Sequence, residues 1–203
     1  IPLSSSDEPV SVRAPLTFEW KGPYNSVVRM TPTVAGGVLQ MPSLPETPTE
    51  TFFFASNQPY SQVENATRFS MLSKLSKEDG FINLFKREFP NVSDLSIEIL
   101  AGVPMLYAKS SAFSEKVPLT LLSGGLNKYL SIIVAIASHP RSLVLIDEIE
   151  NGFYYRRLHS VWSTLLSLAK DNDAQIFVST HSAECLLAAA DLAQKSPDLF
   201  SVI

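Results

Sequence analysis

The chain has 203 residues, 45% hydrophobic and 18% charged, enough apolar content for one or two ordinary domains with a real core. Its net charge of -4 excludes the strongly basic balance of a chain that grips nucleic acid by charge alone, though not contact made through a partner. Cys185 is the only cysteine, which excludes an intrachain disulfide and suits a reducing cytoplasm. No apolar run reaches the roughly 18 to 20 residues that span a bilayer, and no secretory leader pattern opens the chain, so no membrane association is expected. The first residue is Ile1 rather than Met, and Ser201–Ile203 reads as a strand cut short, so a fragment or a processed chain is expected.

Proline divides the sequence: nine of the 14 fall in the first 59 residues, where helical periodicity is absent. Short β-type runs appear there at Leu16–Trp20, Ser26–Met30, Gly37–Met41 and Thr51–Phe54, separated by Pro, Gly and Asn, with an exposed loop expected over Met41–Thr51. Residues 1–59 therefore read as an antiparallel β-rich region.

Residues 60–118 read as a helical lobe with a β-hairpin. Val63, Phe69, Leu72 and Leu75 are spaced for one face of a helix over Ser61–Leu75. Asp79 is placed to cap a second helix that turns Phe81, Leu84, Phe85 and Phe89 inward and ends before Pro90. Leu95–Leu100 and Pro104–Lys109 then flank a hairpin turn at Ala101-Gly102-Val103.

From Leu119 the pattern becomes helix, strand, helix, strand, helix. Leu126, Leu130, Ile133, Val134 and Ala137 form one stripe; Leu158, Val161, Trp162, Leu165, Leu166 and Ala169 form another. Leu143–Ile146 and Ile176–Ser179 are short apolar runs of the kind buried in parallel sheets, and Ala183–Ala193 is rich in Ala and Leu. Alternation of this kind predicts an α/β layer with a parallel sheet over residues 119–203.

Three groups at the strand–helix junctions carry chemistry. Ser123, Gly124 and Gly125 precede a helix whose unpaired N–H groups could receive a phosphate; the alternative is a capped Ser-Gly-Gly turn. Asp147 and Glu148 end the first apolar strand at the edge where parallel sheets place ligands. There Asp147 would hold Mg²⁺ and Glu148 would orient or deprotonate an attacking water, unless the strand merely re-enters solvent through acidic residues. His181 follows the second strand within Thr180–Ser182, where a neutral imidazole could bond a γ-phosphate oxygen or be an ordinary loop residue. His139 and His159 are read as bland, Arg156 and Arg157 as solvated surface, Cys185 and Trp162 as core, and Phe52–Phe54 as a buried strand.

Taken in this order, the three groups resemble the ABC-type ATPase superfamily. Leu122–Gly125 resembles its signature motif, Leu143–Glu148 its Walker B strand, His181 its switch histidine, and Glu150-Asn151-Gly152 its D-loop. The stretches IDEIENG and THSAEC look most like single-chain AAA-type ATPases of the overcoming-lysogenization-defect and recombination-mediator group. The close likeness covers about residues 119–190, and a looser one reaches back to about Thr51. It departs from the family at Leu126, where transporters often have Gln, and at Tyr154-Tyr155, where relatives often have His-Pro. Gln58 is the candidate for the family's Q-loop glutamine.

The resemblance implies a P-loop NTPase-like fold, ATP and Mg²⁺ as cofactors, and a nucleotide sandwiched between this molecule and a homodimer mate or a second ATPase head. Ser123, Gly124, Gly125 and Asn151 would contact nucleotide, Asp147 would hold the metal, and Glu148 and His181 would be catalytic. It also implies service in DNA repair, phage defence or toxin–antitoxin systems, with nucleic acid or an effector protein reached through the complete protein. None of the eight glycines is followed by Lys, so the phosphate-binding loop is expected on a segment upstream. The competing expectation is an ATPase-like module that keeps the fold for protein interaction without hydrolysis.

Overall fold

The computed structural model describes residues 17–21, 27–35, 38–40 and 49–201. The chain divides into two compact units, Ile1–Pro48 and Thr49–Ile203. In the first, strands β1 (Phe18–Lys21) and β2 (Val27–Met30) form an antiparallel ribbon in the register Phe18↔Met30, with an ion pair between Arg29 and Glu19 at 3.2 Å. Strands β3 (Thr33–Ala35) and β4 (Val38–Gln40) form a second, with Thr33 opposite Gln40. The expected strands began at Leu16, Ser26 and Gly37; those positions, and most of the loop expected over Met41–Thr51, lie outside the described residues. Strand β3 had no counterpart among the expected runs.

The second unit is built on a parallel sheet of three strands in the order β10 (Gln175–Val178), β9 (Leu143–Ile146), β5 (Thr51–Phe54). Strand β9 pairs on both sides in register, so that Val144 faces Ile176 and Phe52, and Ile146 faces Val178 and Phe54. Thr51–Phe54, grouped in the sequence with the antiparallel region, is thus a parallel strand. Its own residues show alternation, but the direction of a strand is set by a partner some 90 positions away. Phe52 and Phe54 are buried, whereas Phe53 stands 65% exposed, so the aromatic run is buried on one face only.

Helix α1 (Gln62–Lys74) starts at Ser61, whose hydroxyl accepts the Glu64 N–H. Its inward face is Asn65, Ala66, Phe69 and Leu72, while Val63 and Leu75 are exposed. The helix turns this way because the Asn65 amide donates to the Ser131 hydroxyl of a neighbouring helix at 2.8 Å. A buried polar residue therefore displaces the aliphatic one that hydrophobicity alone selects. Helix α2 (Glu78–Glu88) buries Phe81, Ile82 and Phe85; Asp79 lies inside its first turn, and Lys77 occupies the cap position without a side-chain bond. Strands β6 (Val92–Leu100) and β7 (Val103–Ser110) form the expected hairpin. Ala101 and Gly102 both take positive φ, 50° and 81°, which suits the tight turn of a two-residue hairpin. A short strand β8 (Val117–Pro118) pairs with β7.

Helix α3 (Gly124–Ser138) is buried on all sides rather than along one stripe, from Gly125 through Ile136. Helix α4 (Leu158–Asn172) buries Leu158, Val161, Thr164, Leu165 and Leu168, and closes at Asp173 in a left-handed cap. Helix α5 (Ala183–Lys195) buries only Cys185, whose sulfur receives the Trp162 indole N–H at 3.3 Å; Leu186 and Leu187 are exposed. Among the described residues no helix is long and apolar enough to cross a membrane.

Candidate functional site

Strands β9 and β10 of the parallel sheet end side by side, because Ile146 is in register with Val178. The backbone then continues the pairing: Ser179 N–H donates to the Ile146 carbonyl, and Ile149 N–H to the Ser179 carbonyl. Asp147 and Glu148 leave β9 at this rim, and Ser179, Thr180 and His181 leave β10 beside them.

Two hydroxyls hold Asp147. Ser179 Oγ donates to Oδ1 at 2.7 Å and Ser56 Oγ, just past β5, donates to Oδ2 at 3.0 Å. The Ser179 bond first, then the Ser56 bond, keeps the Asp147 carboxyl below the usual carboxylate range. One side chain is thereby tied to the ends of all three strands. Ser179 Oγ also accepts the Glu148 N–H at 2.9 Å, so a single serine fixes both acidic residues.

Glu148 has φ of 46°, in the left-handed region, which costs a non-glycine residue about 1–2 kcal/mol. Surrounding bonds over-determine this conformation. The Glu148 carbonyl accepts from Lys128 Nζ at 2.6 Å and from the Asn151 N–H at 3.0 Å, and the Asn151 amide donates in turn to Glu148 Oε2. His181 Nε2 lies 3.9 Å from Glu148 Oε1. The His181 backbone N–H donates to Glu150 Oε1 at 2.8 Å, which ties the turn after β9 to the loop after β10.

The Ser-Gly-Gly group does what its residue types predict locally. Ser123 caps α3, its hydroxyl accepting the Leu126 N–H at 3.1 Å, and Gly124 and Gly125 form the first turn. Gly125 packs directly on Gly152: a Cβ at Gly125 would sit 1.8 Å from the Gly152 carbonyl oxygen, and Gly152 itself has φ of 88°. The start of α3 and the turn that follows Glu148 are therefore in backbone contact within one chain.

Asp147, Glu148, Asn151 and His181 are thus brought to one rim, and Gly125 joins them through Gly152. Gln58 instead lies beside β5 and the start of α1, in a hollow that Tyr60 and Arg68 also line. His139 packs edge-on against Phe52 at 5.0 Å, and His159 pairs with Asp191 at 2.9 Å. Arg156 lies against the Tyr154 and Tyr155 rings, but Arg157 is anchored rather than solvated: it stands over the Phe89 ring and donates to the Glu88 carbonyl.

Sequence reasoning missed Ser56, Ser179 and Lys128. Serines after strands carry no signal of their own. Lys128 did carry one, as the only charge in the otherwise apolar and polar-neutral run Gly124–Ser138. Burial lowers its pKa, against the pull of the Glu150, Asp147 and Glu148 carboxylates.

The chain is 35% identical over 82 residues to a Helicobacter pylori protein described as "ATP/GTP phosphatase", a match covering 39% of this chain and 22% of that protein. It therefore spans less than a quarter of the length of that relative. A solved SMC head bound to the C-terminal winged-helix domain of ScpA matches 53% of this chain and 35% of its own at 18% identity, with a TM-score of 0.40. The family described as "AAA domain, putative AbiEii toxin, Type IV TA system" matches residues 52–187, from β5 into α5. That stretch takes in every strand of the parallel sheet and the whole rim, and the chain belongs to this family of AAA-type, P-loop ATPase domains.

Proposed function

We propose that the complete protein binds and hydrolyses ATP as an ABC-type ATPase and that this chain supplies the later half of the site. The observation that carries the reading is the gathering of Asp147, Glu148 and His181 at one rim of the parallel sheet, with Glu148 and His181 3.9 Å apart. In this reading Leu143–Glu148 is the Walker B strand, Ser123–Gly125 the signature motif, and Glu150–Gly152 the D-loop. The phosphate-binding loop comes from a segment outside these residues.

Asp147 fits Mg²⁺. Each of its oxygens accepts one hydroxyl bond, which leaves lone pairs free. Among the described residues no cluster of three His, Cys, Asp or Glu forms a closed cage. Such an open, single-carboxylate position suits a cation that takes most of its remaining ligands from water and phosphate. Bound there, Mg²⁺ would neutralise charge on the phosphate oxygens. Glu148, aimed by Asn151 and its left-handed backbone, orients the attacking water and receives its proton. His181 donates to the γ-phosphate. Ser123 and Gly125 reach a nucleotide held by a second head, so that ATP binding joins two heads and hydrolysis releases them.

In this reading the switch is cytoplasmic and acts in DNA repair or phage defence; the likeness of IDEIENG and THSAEC to the overcoming-lysogenization-defect and recombination-mediator group supports it. The family's description also admits a toxin–antitoxin role. Glu148→Gln in the full-length protein tests the chemistry: hydrolysis should vanish while ATP-dependent dimerisation persists, and unchanged turnover would remove Glu148 from its role. Ser123→Arg tests the partner arrangement. It should block association of heads without abolishing nucleotide binding to the monomer, and loss of monomer binding would contradict a contact made across the dimer. A full-length protein that binds no ATP would leave the alternative, an ATPase-like interaction module.

A further inference from the structure

Lys128 is one turn into α3 and 2% exposed, in a helix that is otherwise uncharged. Taking an ammonium out of water costs several kcal/mol unless it finds acceptors, and a methionine would fill similar volume without that cost. The acceptors it finds are not side chains. Nζ donates to the Glu148 carbonyl at 2.6 Å and to the Asp147 carbonyl at 3.3 Å, the two peptide groups at which β9 ends and the backbone swings into positive φ. The Glu148 carbonyl accepts only one other bond, from the Asn151 N–H within the same turn. Lys128 is thus the link that ties this turn by hydrogen bonds to α3. The second tie between the two is the Gly125–Gly152 contact, which is steric.

We propose that Lys128 is a positioning residue: from inside α3 it holds the Asp147–Glu148 peptide in the left-handed turn that aims the Glu148 carboxylate at its water. The proposal rests on the ATPase reading of the rim and adds to it a residue that touches neither nucleotide nor metal. Because the ammonium grips carbonyls rather than the carboxylate, its loss leaves the Glu148 side chain in place but misdirected. The signature of that defect is a fall in kcat with little change in KM.

The test compares Lys128→Met, Lys128→Arg and Glu148→Gln in the full-length protein, each by ATP turnover and thermal melting. Lys128→Met should lower kcat about 100-fold, the scale of a misplacement near 1 Å, and move KM for ATP by less than about threefold. Lys128→Arg, which can donate to both carbonyls, should recover at least about tenfold of the loss. A folded Lys128→Met protein with wild-type kcat would overturn the proposal, as would a loss carried by KM or an Arg variant no better than Met. If Lys128→Met fails to fold, Lys128→Gln carries the same comparison, and failure of both to fold would overturn the proposal by making Lys128 a core residue only. Normal turnover in Glu148→Gln would instead sink the ATPase reading beneath it.

Discussion

The two strand ends that form the rim are held in different ways. At the end of β9 the acidic side chains are locked: Asp147 by Ser56 and Ser179, and Glu148 by Asn151, with its peptide fixed by Ser179 and Lys128. At the end of β10 the backbone is tied through Glu150, but the His181 side chain is 83% exposed, with its Nε2 3.9 Å from Glu148 Oε1. A group whose partners are built into the chain is ready before any ligand arrives; a group left in solvent becomes ordered only when something docks on it. On the proposed ATPase reading, the carboxylates would serve chemistry that the chain prepares by itself, and His181 would make a contact completed by the nucleotide.

Substitutions on the two sides should differ accordingly. The largest effect is expected from Glu148→Gln, a loss of turnover of about 10³-fold or more. His181→Ala should cost about 100-fold, because a donor to developing phosphate charge is lost while water activation stays intact. Its melting temperature should equal that of the wild type, since the imidazole is largely exposed to solvent; a lowered melting temperature would break the contrast between locked and exposed ends. Ser179→Ala should have the smallest effect on rate, about tenfold, and the most informative pH dependence. Hydroxyl donation lowers the folded-state pKa of Asp147, so removing Ser179 raises it. The acid limb of the Mg²⁺-dependent rate should then move to higher pH, and the stability that the Asp147 carboxylate gives the fold should be lost sooner as pH falls. An unmoved acid limb in Ser179→Ala would show that Asp147 does not limit activity there.

Much of the fold was legible because its signals are local. Helix α1 begins where expected, with Ser61 as its cap, and α4 buries Leu158, Val161 and Leu165 of its expected apolar stripe. The hairpin turn sits at Ala101-Gly102, where glycine permits it. What failed was one-sidedness: Val63 and Leu75 satisfy a helical period yet face solvent, and Asn65 faces the core because Ser131 awaits it. Lys128 stands out in sequence as the only charge in the run Gly124–Ser138, but nothing local gives it a partner. Only its place beneath the β9 turn makes it an internal donor.

The sequence by itself determined the helices after Ser61, the β6–β7 hairpin, the apolar strands β9 and β10, and the identity of Asp147, Glu148, Asn151 and His181 as candidates. Each depends on periodicity, capping or residue chemistry within a few positions. Only tertiary structure decided that β5 runs parallel to β9, that Ser56 and Ser179 clamp Asp147, and that Gly125 meets Gly152. Those contacts join positions 27 to 92 residues apart. Strand pairing and hydroxyl direction are fixed by whatever the folded chain places opposite, and no local pattern encodes that.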